Sequence, residues 1–530
     1  MERPAFDAII VGAGFAGLYM LHRLRRMGFR ALVLEAGSGV GGTWYWNRYP
    51  GARCDIESMQ YSYQFDEALQ QEWDWTERYA AQPEILRYAE HVAERFDLKR
   101  DIRFDARVTS AVFDEAAAEW IVTTEAGDPL RAGFVIMATG CISTANTPAF
   151  PSGDNFAGVR YHTGRWPHEK VSFKDKRVGV IGTGSSAVQA IPLIAEEADH
   201  LTVFQRTANY SVPAHNGPLD PEVQRRIKAD YPALRQRASK TRACIDLVFG
   251  TKKALEVSAE ERQREYEARW AMGGFGFTGA FADIPLDLEA NRTVQDFIRG
   301  KIREIVHDPE IAQRLSPTNT FGCKRLCVDT NYFATYNRPN VTLVDVSATP
   351  IEALTSSGVK VGGRDYALDA LVFATGFDAM TGTLNRIDIR GRDGAKLKDK
   401  WEDGPRTYLG LGMAGFPNLF TVTGPGSPSV LTNMLPTIEQ HVEWIADCLA
   451  HLRTLDLACI EAEAEAEDAW VAHGTEVAGA TLRGTCSSWY LGSNIDGKPR
   501  VFMPYIGGFP AYVQKCEAVV AKGYEGFRLS

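Results

Sequence analysis

Continuous apolar runs that end in glycine are the clearest pattern along the chain. One run, Asp7-Ala-Ile-Ile-Val-Gly, leads into a helical spacing of apolar residues from Leu18 to Met27, and a second run, Arg177-Val-Gly-Val-Ile-Gly, resembles it. Runs of this kind are typical of strands buried on both faces of a parallel sheet. Two more predicted strands, Phe134–Gly140 and Leu371–Gly376, both end in Ala-Thr-Gly, where we expect the chain to pass between two domains.

Residues from about 220 to 320 have a different composition, rich in Lys, Arg, Glu and Ala, which favours helices. Ser258-Ala-Glu-Glu261 has the form of a capping box at a helix start. The segment Gly273–Ala282 interrupts this region with glycines and aromatic residues, and it fits a flexible connector and part of a substrate entrance equally well. We interpret the region as a helical insertion.

The last part of the chain contains an acidic run and then an aromatic tail. Glu461–Asp468 favours a helix with a solvated face. Ser488–Asn494 and Val501–Pro510 are aromatic and glycine-rich, and we expect this tail to pack back over the active site. The predicted fold class is α/β, with two Rossmann-like dinucleotide-binding domains. The predicted boundaries are residues 1–150 plus 385–530 for the first domain, 151–220 plus 325–384 for the second, and 221–324 for the insertion.

Composition limits the possible functions. The chain has 530 residues, which at about 150 residues per domain indicates three or four units. Hydrophobic residues make up 45% and charged residues 24%, values typical of globular proteins. The net charge of −9 argues against nucleic-acid binding, which requires a basic surface.

Cysteine usage and the absence of targeting patterns predict a compartment. Nine cysteines, odd in number and unclustered, fit reduced thiols in a cytosol-like environment. We interpret Cys323 and Cys327 as small buried hydrophobic residues, since no second pair accompanies them to form a metal site. No secretory signal and no apolar run of about 20 residues is evident. We therefore expect a cytoplasmic protein without membrane contact, as a monomer or a loose homo-oligomer.

The first glycine fingerprint has the full context of a dinucleotide site. Gly12, Gly14 and Gly17 follow a predicted strand and precede a predicted helix. The glycines allow a tight turn, so that the backbone approaches a pyrophosphate at the helix N-terminus. The next predicted strand ends at Glu35, an acid placed to bind a ribose diol.

The second fingerprint differs in the charge that follows it. The turn reads Gly182-Thr183-Gly184-Ser185-Ser186-Ala187, with Ala in place of the third glycine, and the next strand ends in Arg206 and Thr207. An acid at this position would repel a 2′-phosphate, whereas Arg binds it with a fork of charge-assisted hydrogen bonds. The second cofactor is therefore predicted to be NADPH; the alternative is that Arg206 is a plain surface charge.

A linker between the two fingerprints points to one chemistry. Phe156–Pro167 reads F-x-G-x-x-x-H-T-x-x-W-P, and this string resembles the signature of the Baeyer–Villiger monooxygenases. Further islands similar to the cyclohexanone and phenylacetone monooxygenase branch extend from about residue 6 to 527. They are Gly42–Asp55, Lys324-Arg325-Leu, Asn331–Asn340, Ala374–Asp378, Gly424–Ser429 and Lys522–Phe527.

The resemblance implies an FAD- and NADPH-dependent reaction of small hydrophobic ketones with dioxygen. NADPH reduces FAD, dioxygen adds to give a peroxyflavin, and its attack on the ketone yields an ester or lactone; sulfide oxidation is a further expected activity. Arg325 matches the catalytic arginine that stabilises peroxide and oxyanion, and Asp55 matches its carboxylate partner. His162 is expected to couple domain movement to turnover rather than to act as a base.

The resemblance also implies which residues bind the cofactors and the substrate. Lys324 is expected to help Arg206 hold the 2′-phosphate, and Trp489 resembles a tryptophan that contacts NADP. The remaining FAD- or NADP-binding positions that it implies are Gly42, Thr43, Trp44, Trp46, Asp55, Tyr61, Val108, Arg325 and Asp378. An apolar substrate wall is expected from Val430, Leu431 and Met434, for which the alternative is core packing.

Three other interpretations share the two nucleotide sites. A flavin-dependent hydroxylase of nitrogen or sulfur centres has a different linker and lacks the Lys324-Arg325 pair. A pyridine-nucleotide disulfide reductase needs a redox-active cysteine pair near the first site, and Cys54 has no neighbouring cysteine. A flavin scaffold or a plain NADPH oxidase would require Arg325 or Asp55 to be non-functional.

Overall fold

Two sheets, each containing one of the glycine fingerprints, organise the molecule. The computed structural model describes residues 5–530, without the side chain of Asp154. The larger sheet has eight strands and is parallel except where two antiparallel pairs enter it. Its order is Asp388–Arg390, Val108–Asp114, Glu119–Thr124, Pro129–Met137, Phe6–Val11, Ala31–Leu34 and Ile102–Arg103, with Leu419–Thr421 beside the end of Pro129–Met137.

The second sheet has five strands, all parallel. Its order is Val341–Asp345, His200–Gln205, Arg177–Ile181, Ala370–Phe373 and Val159–His162. The fingerprint strand Arg177–Ile181 is central, and Val178, Val180 and Ile181 are buried, which explains its continuous apolar run. Both sheets draw strands from two separate parts of the chain. The division into two discontinuous domains at the stated boundaries stays a prediction.

Helices cover the sheets and form the insertion. Beside the larger sheet lie Phe15–Arg26, Thr43–Trp46, Glu67–Glu72, Gln82–Arg95, Leu397–Lys400, Met434–Leu455, Ala464–Gly479 and Phe509–Ala521. Beside the second lie Ser185–Glu197 and Tyr332–Thr335. The predicted insertion is helical, with Pro221–Ala229, Tyr231–Ser239, Ala259–Met272, Leu288–Ile305 and Pro309–Leu315. The predicted cap also forms, since the Glu261 amide donates to Ser258 Oγ over 3.2 Å.

Three small sheets complete the structure. They are Ser211–Pro213 with Cys327–Asp329, Ile351–Thr355 with Gly358–Val361 and Arg364–Ala367, and Ile460–Ala462 with Phe527–Leu529. Within residues 5–530, no helix is long and apolar enough to cross a membrane. The same residues contain no group of three or more His, Cys, Asp or Glu side chains that could hold a metal ion.

The acidic run is only partly the solvated helix face that its sequence predicts. Glu461 lies in a strand, buried, and its carboxylate pairs with Arg392 and Arg528. Glu467 lies in the following helix, and its buried carboxylate pairs with Lys400 over 2.6 Å. The prediction is wrong for these two residues because cations from distant parts of the chain reach them, which local charge patterning does not reveal.

The prediction that all cysteines are reduced is also wrong. Cys323 forms a disulfide with Cys486, 163 residues further along the chain. The predicted burial of Cys323 and Cys327 is correct, and Cys327 is unpaired. A disulfide between residues so far apart depends on tertiary folding, because two cysteines can be bridged only when their Cα atoms come within about 7 Å.

Candidate active site between the two nucleotide-binding sheets

A cavity of about 1600 Å³ lies between the carboxyl ends of the two fingerprint strands. Ligands of open parallel sheets bind in this position. The predicted site residues on its walls are Gly12, Gly14, Glu35, Gly42, Thr43, Trp44, Trp46, Asp55, Tyr61, Val108, Gly182, Thr183, Gly184, Ser185, Ser186, Arg206, Thr207, Lys324, Arg325, Val430, Met434 and Trp489. Of the aromatic tail, Ser488–Asn494 reaches the cavity, through Ser488, Trp489 and Asn494 among others, whereas no residue of Val501–Pro510 lies on its walls.

The first glycine of each fingerprint packs against an Ala-Thr-Gly strand end. Gly12 has φ +107°, and a Cβ there would lie 2.6 Å from the Ala138 carbonyl oxygen. Gly182 has φ +111°, and its Cβ would lie 2.4 Å from the Ala374 carbonyl oxygen. Only glycine combines this backbone with so close an approach. The repeated Ala-Thr-Gly is therefore the surface against which each nucleotide-binding turn packs.

The helix that follows each turn begins with unsatisfied amides. Phe15–Arg26 and Ser185–Glu197 both have a glycine as N-cap, with no side chain accepting from the first turn. Free N–H groups and the helix dipole favour an anion at such an end. Because both helix starts adjoin the cavity, the residues present fit the pyrophosphates of two dinucleotides.

Glu35 stabilises the first turn from within. Its carboxylate is buried and accepts from the amides of Ala13, over 2.6 Å, and Gly37, over 2.7 Å. Burial raises the pKa of Glu35, and the two amide hydrogen bonds oppose that rise. The acid thus holds the turn and faces the cavity, where a ribose could share it.

The segment after Gly42 forms a second wall beside the first turn. Gly42 has φ +54°, and a Cβ there would lie 2.8 Å from the Cα of Gly14. The short helix Thr43–Trp46 starts at this contact. Trp44 Nε1 then donates to the Tyr61 hydroxyl over 3.1 Å, which brings two aromatic residues to the same side of the cavity.

Arg325 projects into the centre of the site with a fixed orientation. Its Nε and Nη2 donate to the two carboxylate oxygens of Asp55 over 2.7 and 2.8 Å, and its Nη1 donates to the Val430 carbonyl over 2.7 Å. A guanidinium carries five N–H donors, so two remain for a ligand. The ring of Phe275 lies 4.9 Å from the guanidinium carbon and covers one face.

The charge of Arg325 is permanent. Burial alone would lower its pKa, but the adjacent Asp55 carboxylate raises it well above the ordinary arginine value. A cation that is both buried and paired keeps its proton at any working pH. The site therefore holds a fixed positive group with two free donors.

Two cations on the opposite wall lack carboxylate partners among residues 5–530. Lys324 and Arg206 both line the cavity, and neither forms an ion pair there. Burial lowers the pKa of Lys324, and the charge of Arg206 lowers it further. Two unpaired cations side by side at the end of the second fingerprint fit a 2′-phosphate.

His162 lies outside the cavity wall, between the two segments that follow the Ala-Thr-Gly strand ends. Its Nδ1 accepts from the Gly164 amide over 2.9 Å, so its Nε2 carries the proton and donates to the Asn146 carbonyl over 3.1 Å. Thr375 Oγ1 also donates to the Asn146 carbonyl. Burial lowers the pKa of His162, so the ring is neutral near pH 7.

Known proteins share this architecture over the whole chain. A family described as pyridine nucleotide-disulphide oxidoreductase matches residues 9–298. A Baeyer–Villiger monooxygenase of Pseudooceanicola batsensis is 42% identical over 98% of this chain and 95% of its own length. The chain belongs to the Baeyer–Villiger monooxygenase family. This membership confirms the predicted family, and the enzyme class of a nucleotide-dependent flavin monooxygenase follows.

Three further matches extend the comparison. A phenazine N-monooxygenase of Lysobacter antibioticus is 43% identical over 100% of this chain and 98% of its own. A structure of oxidized steroid monooxygenase bound to NADP is 52% identical, with a TM-score of 0.95 and 99% of each chain covered. A structure of OTEMO in complex with FAD and NADP is 38% identical, with a TM-score of 0.97 and 100% of each chain covered. The predicted fold class and pair of cofactors are thereby confirmed.

The disulfide reductase interpretation does not survive this comparison. The matched family describes the nucleotide-binding fold, while the full-length relatives are monooxygenases. Cys54, which lines the cavity near the first fingerprint, is unpaired. Burial raises the pKa of its thiol well above the ordinary value, so it is a poor redox nucleophile.

Some predicted site residues of this Baeyer–Villiger monooxygenase lie away from the cavity wall. A Cβ on Gly17 would lie 1.8 Å from the Gly12 carbonyl oxygen, so Gly17 allows the helix to approach the turn. Leu431 packs in an apolar cluster beside Val430. The Asp378 carboxylate pairs with Lys498 over 2.7 Å, which makes it an anchor for the tail. Their predicted binding roles stay predictions, as do the roles of the residues on the wall.

Sequence patterns missed several residues that the monooxygenase fold brings to the site. Asn146 follows the first Ala-Thr-Gly strand end and Thr375 is the threonine of the second, so the repetition of this string was the available signal. Phe275 lies in the glycine and aromatic loop, and its contact with Arg325 favours the substrate-entrance interpretation of that loop. Asn494 and Lys498 had no local signal, because their partners lie more than 100 residues away.

Proposed function

We propose that this Baeyer–Villiger monooxygenase uses FAD and NADPH to insert one atom of dioxygen beside the carbonyl of an apolar ketone, giving an ester or lactone. The observation that carries the proposal is the partly buried Arg325–Asp55 pair on the wall between the two fingerprints. The bound flavin, once reduced by NADPH, supplies the activated oxygen. The side chains of the protein bind, orient and stabilise charge.

Arg325 stabilises the negative charge that develops on the ketone oxygen. Its two remaining N–H groups are bonded neither to Asp55 nor to the Val430 carbonyl, and Arg325 lines the cavity, so they are available to a ligand there. Donors oriented before the reaction stabilise a developing oxyanion strongly in a site with little water. Asp55 keeps the fork in place and balances its charge when no substrate is bound.

NADPH is preferred over NADH because of the charge at the second site. A 2′-phosphate placed between Arg206 and Lys324 would relieve the repulsion between two unpaired cations. NADH offers no group for either cation. Selectivity for NADPH over NADH therefore comes from the 2′-phosphate, which pairs with Arg206 and Lys324, whereas NADH leaves both cations unpaired.

The substrate lies against an apolar wall beside Arg325. Val430 accepts a hydrogen bond from Arg325 through its carbonyl, and it also lines the cavity, as does Met434, the first residue of the helix Met434–Leu455. Phe275 closes the other side of the guanidinium. Pockets of this composition bind hydrophobic ligands, with a few polar groups setting orientation.

The test is product analysis with labelled oxygen. FAD-loaded protein is reduced with NADPH without air and then exposed to isotopically labelled dioxygen with cyclohexanone or phenylacetone. A lactone or ester that carries one labelled atom supports the proposal. Hydrogen peroxide as the only product, with both ketones and a wider panel unchanged, contradicts it.

Oxygenation of a heteroatom is a second candidate, favoured by the 43% identity to a phenazine N-monooxygenase. A phenazine and an aryl methyl sulfide belong in the same assay as the ketones. Conversion of the phenazine alone would make N-oxygenation the function. Predicted sulfide oxidation, the cytoplasmic location and a monomeric or loosely associated state stay predictions.

A further inference from the structure

One wall of the cavity comes from a short stretch near the C-terminus, residues 486–498, which we call the cap segment. Ser488, Trp489 and Asn494 of this stretch line the cavity directly. Its middle is held by hydrogen bonds, since Asn494 Nδ2 donates to the Phe377 carbonyl over 2.7 Å and Asn146 Nδ2 donates to the Asn494 carbonyl over 3.1 Å. The cap segment therefore bridges the linkers that join the two domains.

The two ends of the cap segment are anchored differently. At its C-terminal end, Lys498 Nζ donates to Asp378 Oδ1 and to the Ala379 carbonyl, both over 2.7 Å. At its N-terminal end, Cys486 is joined covalently to Cys323. The first anchor is a non-covalent ion pair, whereas the second opens only by redox chemistry.

The covalent anchor is attached to the loop that carries Lys324 and Arg325. Cys323 directly precedes Lys324 and lies two residues before Arg325. The disulfide therefore joins the cap segment to the loop that carries Lys324, a proposed NADPH-binding residue, and Arg325, the proposed catalytic residue. No other cysteine among residues 5–530 is paired, and the remaining seven are buried.

The disulfide is open to attack from one side only. Cys323 is fully buried, whereas Cys486 is partly exposed. A thiolate from outside can therefore attack Sγ of Cys486, forming a mixed disulfide and releasing the Cys323 thiolate. A second thiol then attacks the outer sulfur of the mixed disulfide and releases the Cys486 thiolate. Two thiols are oxidised to one disulfide, and the protein gains two electrons and two protons.

We propose that the Cys323–Cys486 disulfide is a redox-sensitive latch on the cap segment. When oxidised, it holds Trp489 and Asn494 over the cavity and slows release of the nicotinamide cofactor. When a small thiol such as glutathione reduces it, only the Lys498 anchor and the central hydrogen bonds remain, and the cap segment opens more often. The inference rests on the proposed function, because it takes the cavity to hold NADP.

The latch is tested on FAD-loaded protein in two redox states. Samples are kept oxidised or treated with glutathione, and thiol labelling with mass analysis reports the state of Cys323 and Cys486. NADP+ binding is then measured by calorimetry, and exposure of the cap segment by limited proteolysis after Arg483 and Arg500. Reduction should weaken NADP+ binding about tenfold, a coupling of ordinary size, and should accelerate both cleavages.

Variants separate the latch from general effects. Cys486→Ser should behave like the reduced protein in either redox state. Thr485→Val removes the neighbouring hydrogen bond from Thr485 Oγ1 to Thr320 Oγ1, which is 2.9 Å long, but leaves the disulfide intact, so its redox response should persist. Cys459→Ser, at an unpaired cysteine, should also keep the response.

Two outcomes would overturn the latch. One is that Cys323 and Cys486 react as free thiols in untreated protein under oxidising conditions. The other is equal NADP+ affinity and equal proteolysis in both redox states of the wild-type protein. Failure of the proposed function looks different, because ketones would then stay unconverted while NADP+ binding still responded to glutathione.

Discussion

At the scale of single residues, the proposed reacting site is organised around the guanidinium of Arg325, which uses three of its five N–H donors within the protein. Asp55 and the Val430 carbonyl take three donors of Arg325, and the planar fork fixes the direction of the other two. Lys324, the preceding residue, lines the cavity close to Arg206 instead. We propose that these two neighbouring cations, Lys324 and Arg325, bind different ligands.

Arg325→Lys should lower ketone conversion by at least about 100-fold, the typical effect of losing an oxyanion donor. An ammonium cannot keep two bonds to Asp55 and still present a fixed pair of donors. Steady-state product formation measures the loss. Anaerobic reduction of the flavin by NADPH serves as the control and should continue; a variant with more than about a tenth of the wild-type activity would contradict the assigned role.

Arg206→Gln should raise the KM for NADPH by about 10- to 100-fold, because a hydrogen bond to a charged group contributes about 1.5–3 kcal/mol. The KM for NADH should change little, which makes NADH the internal control. Lys324→Met should act in the same direction. Equal effects on both cofactors would show that Arg206 does not read the 2′-phosphate.

At the scale of elements, the long helix Met434–Leu455 contains a buried acid, Glu439, whose surroundings disfavour the ionised form. Burial raises the pKa of Glu439 to about 7, although the amides of Gln64 and Phe65 donate to its Oε1. Its other oxygen has no partner among the described residues. Nearby Arg235 lowers the pKa and Glu443 raises it.

Stability should therefore fall as pH rises toward 7. Because the folded pKa of Glu439 lies above the ordinary glutamate value of 4.5, its contribution to stability is present in acid and is lost as pH rises through about 7. Glu439→Gln should raise the thermal midpoint by a few degrees at pH 8.5 and have little effect at pH 5. Thermal unfolding of both proteins across this range is the measurement, and an equal shift at every pH would contradict the titration.

The cap segment is held at its two ends by the Lys498–Asp378 ion pair and by the Cys323–Cys486 disulfide. Lys498→Met leaves the half-buried Asp378 carboxylate unpaired and frees one end of the segment. We expect faster proteolysis at Arg500 and weaker NADP+ binding, by about tenfold. Lys522→Met is the matched control, since the ion pair of Lys522 with Glu525 is exposed and lies outside the cap segment. An identical effect of both substitutions would remove Lys498 from this role.

At the scale of the whole molecule, the cavity exists because two similar sheets face each other. Each presents a fingerprint turn packed on an Ala-Thr-Gly strand end, and the linkers beyond these ends run next to each other. His162 reaches both linkers, through the Asn146 carbonyl and Thr375 Oγ1. A movement of one sheet relative to the other would be felt at this residue.

His162→Ala should slow reduction of the flavin by NADPH about tenfold without changing which product forms, because it disturbs relative placement rather than the reacting groups. Stopped-flow reduction and product ratios measure the two effects separately. Burial lowers the pKa of His162, so the ring should stay neutral near pH 7 and titrate at a lower pH than a free imidazole. A changed product ratio would instead place His162 at the reacting site.

Local patterns were sufficient for the elements that carry the site. The strand from Phe6, the turn at Gly12 and the helix after it form a contiguous unit, and so does the unit from Arg177. Each depends on a few neighbouring residues, since buried parallel strands need apolar runs and tight phosphate-binding turns need glycine. The charge of Arg206 at the next strand end is equally local. The family resemblance added Arg325 and Asp55, which no local pattern joins.

Tertiary structure alone decided how distant residues meet. Arg325 pairs with Asp55 across 270 positions, Lys498 with Asp378 across 120, and Cys323 with Cys486 across 163. The glycine fingerprints indicated two nucleotide units, but local patterns wrongly placed Glu461 and Glu467 on a solvated face and predicted Cys323 to be reduced, because burial and pairing depend on which surfaces come together. The sequence by itself thus determined the turns, the elements and the class of chemistry. The folded chain determined which charges are paired, which cation stays free for a phosphate, and how the cap segment is held.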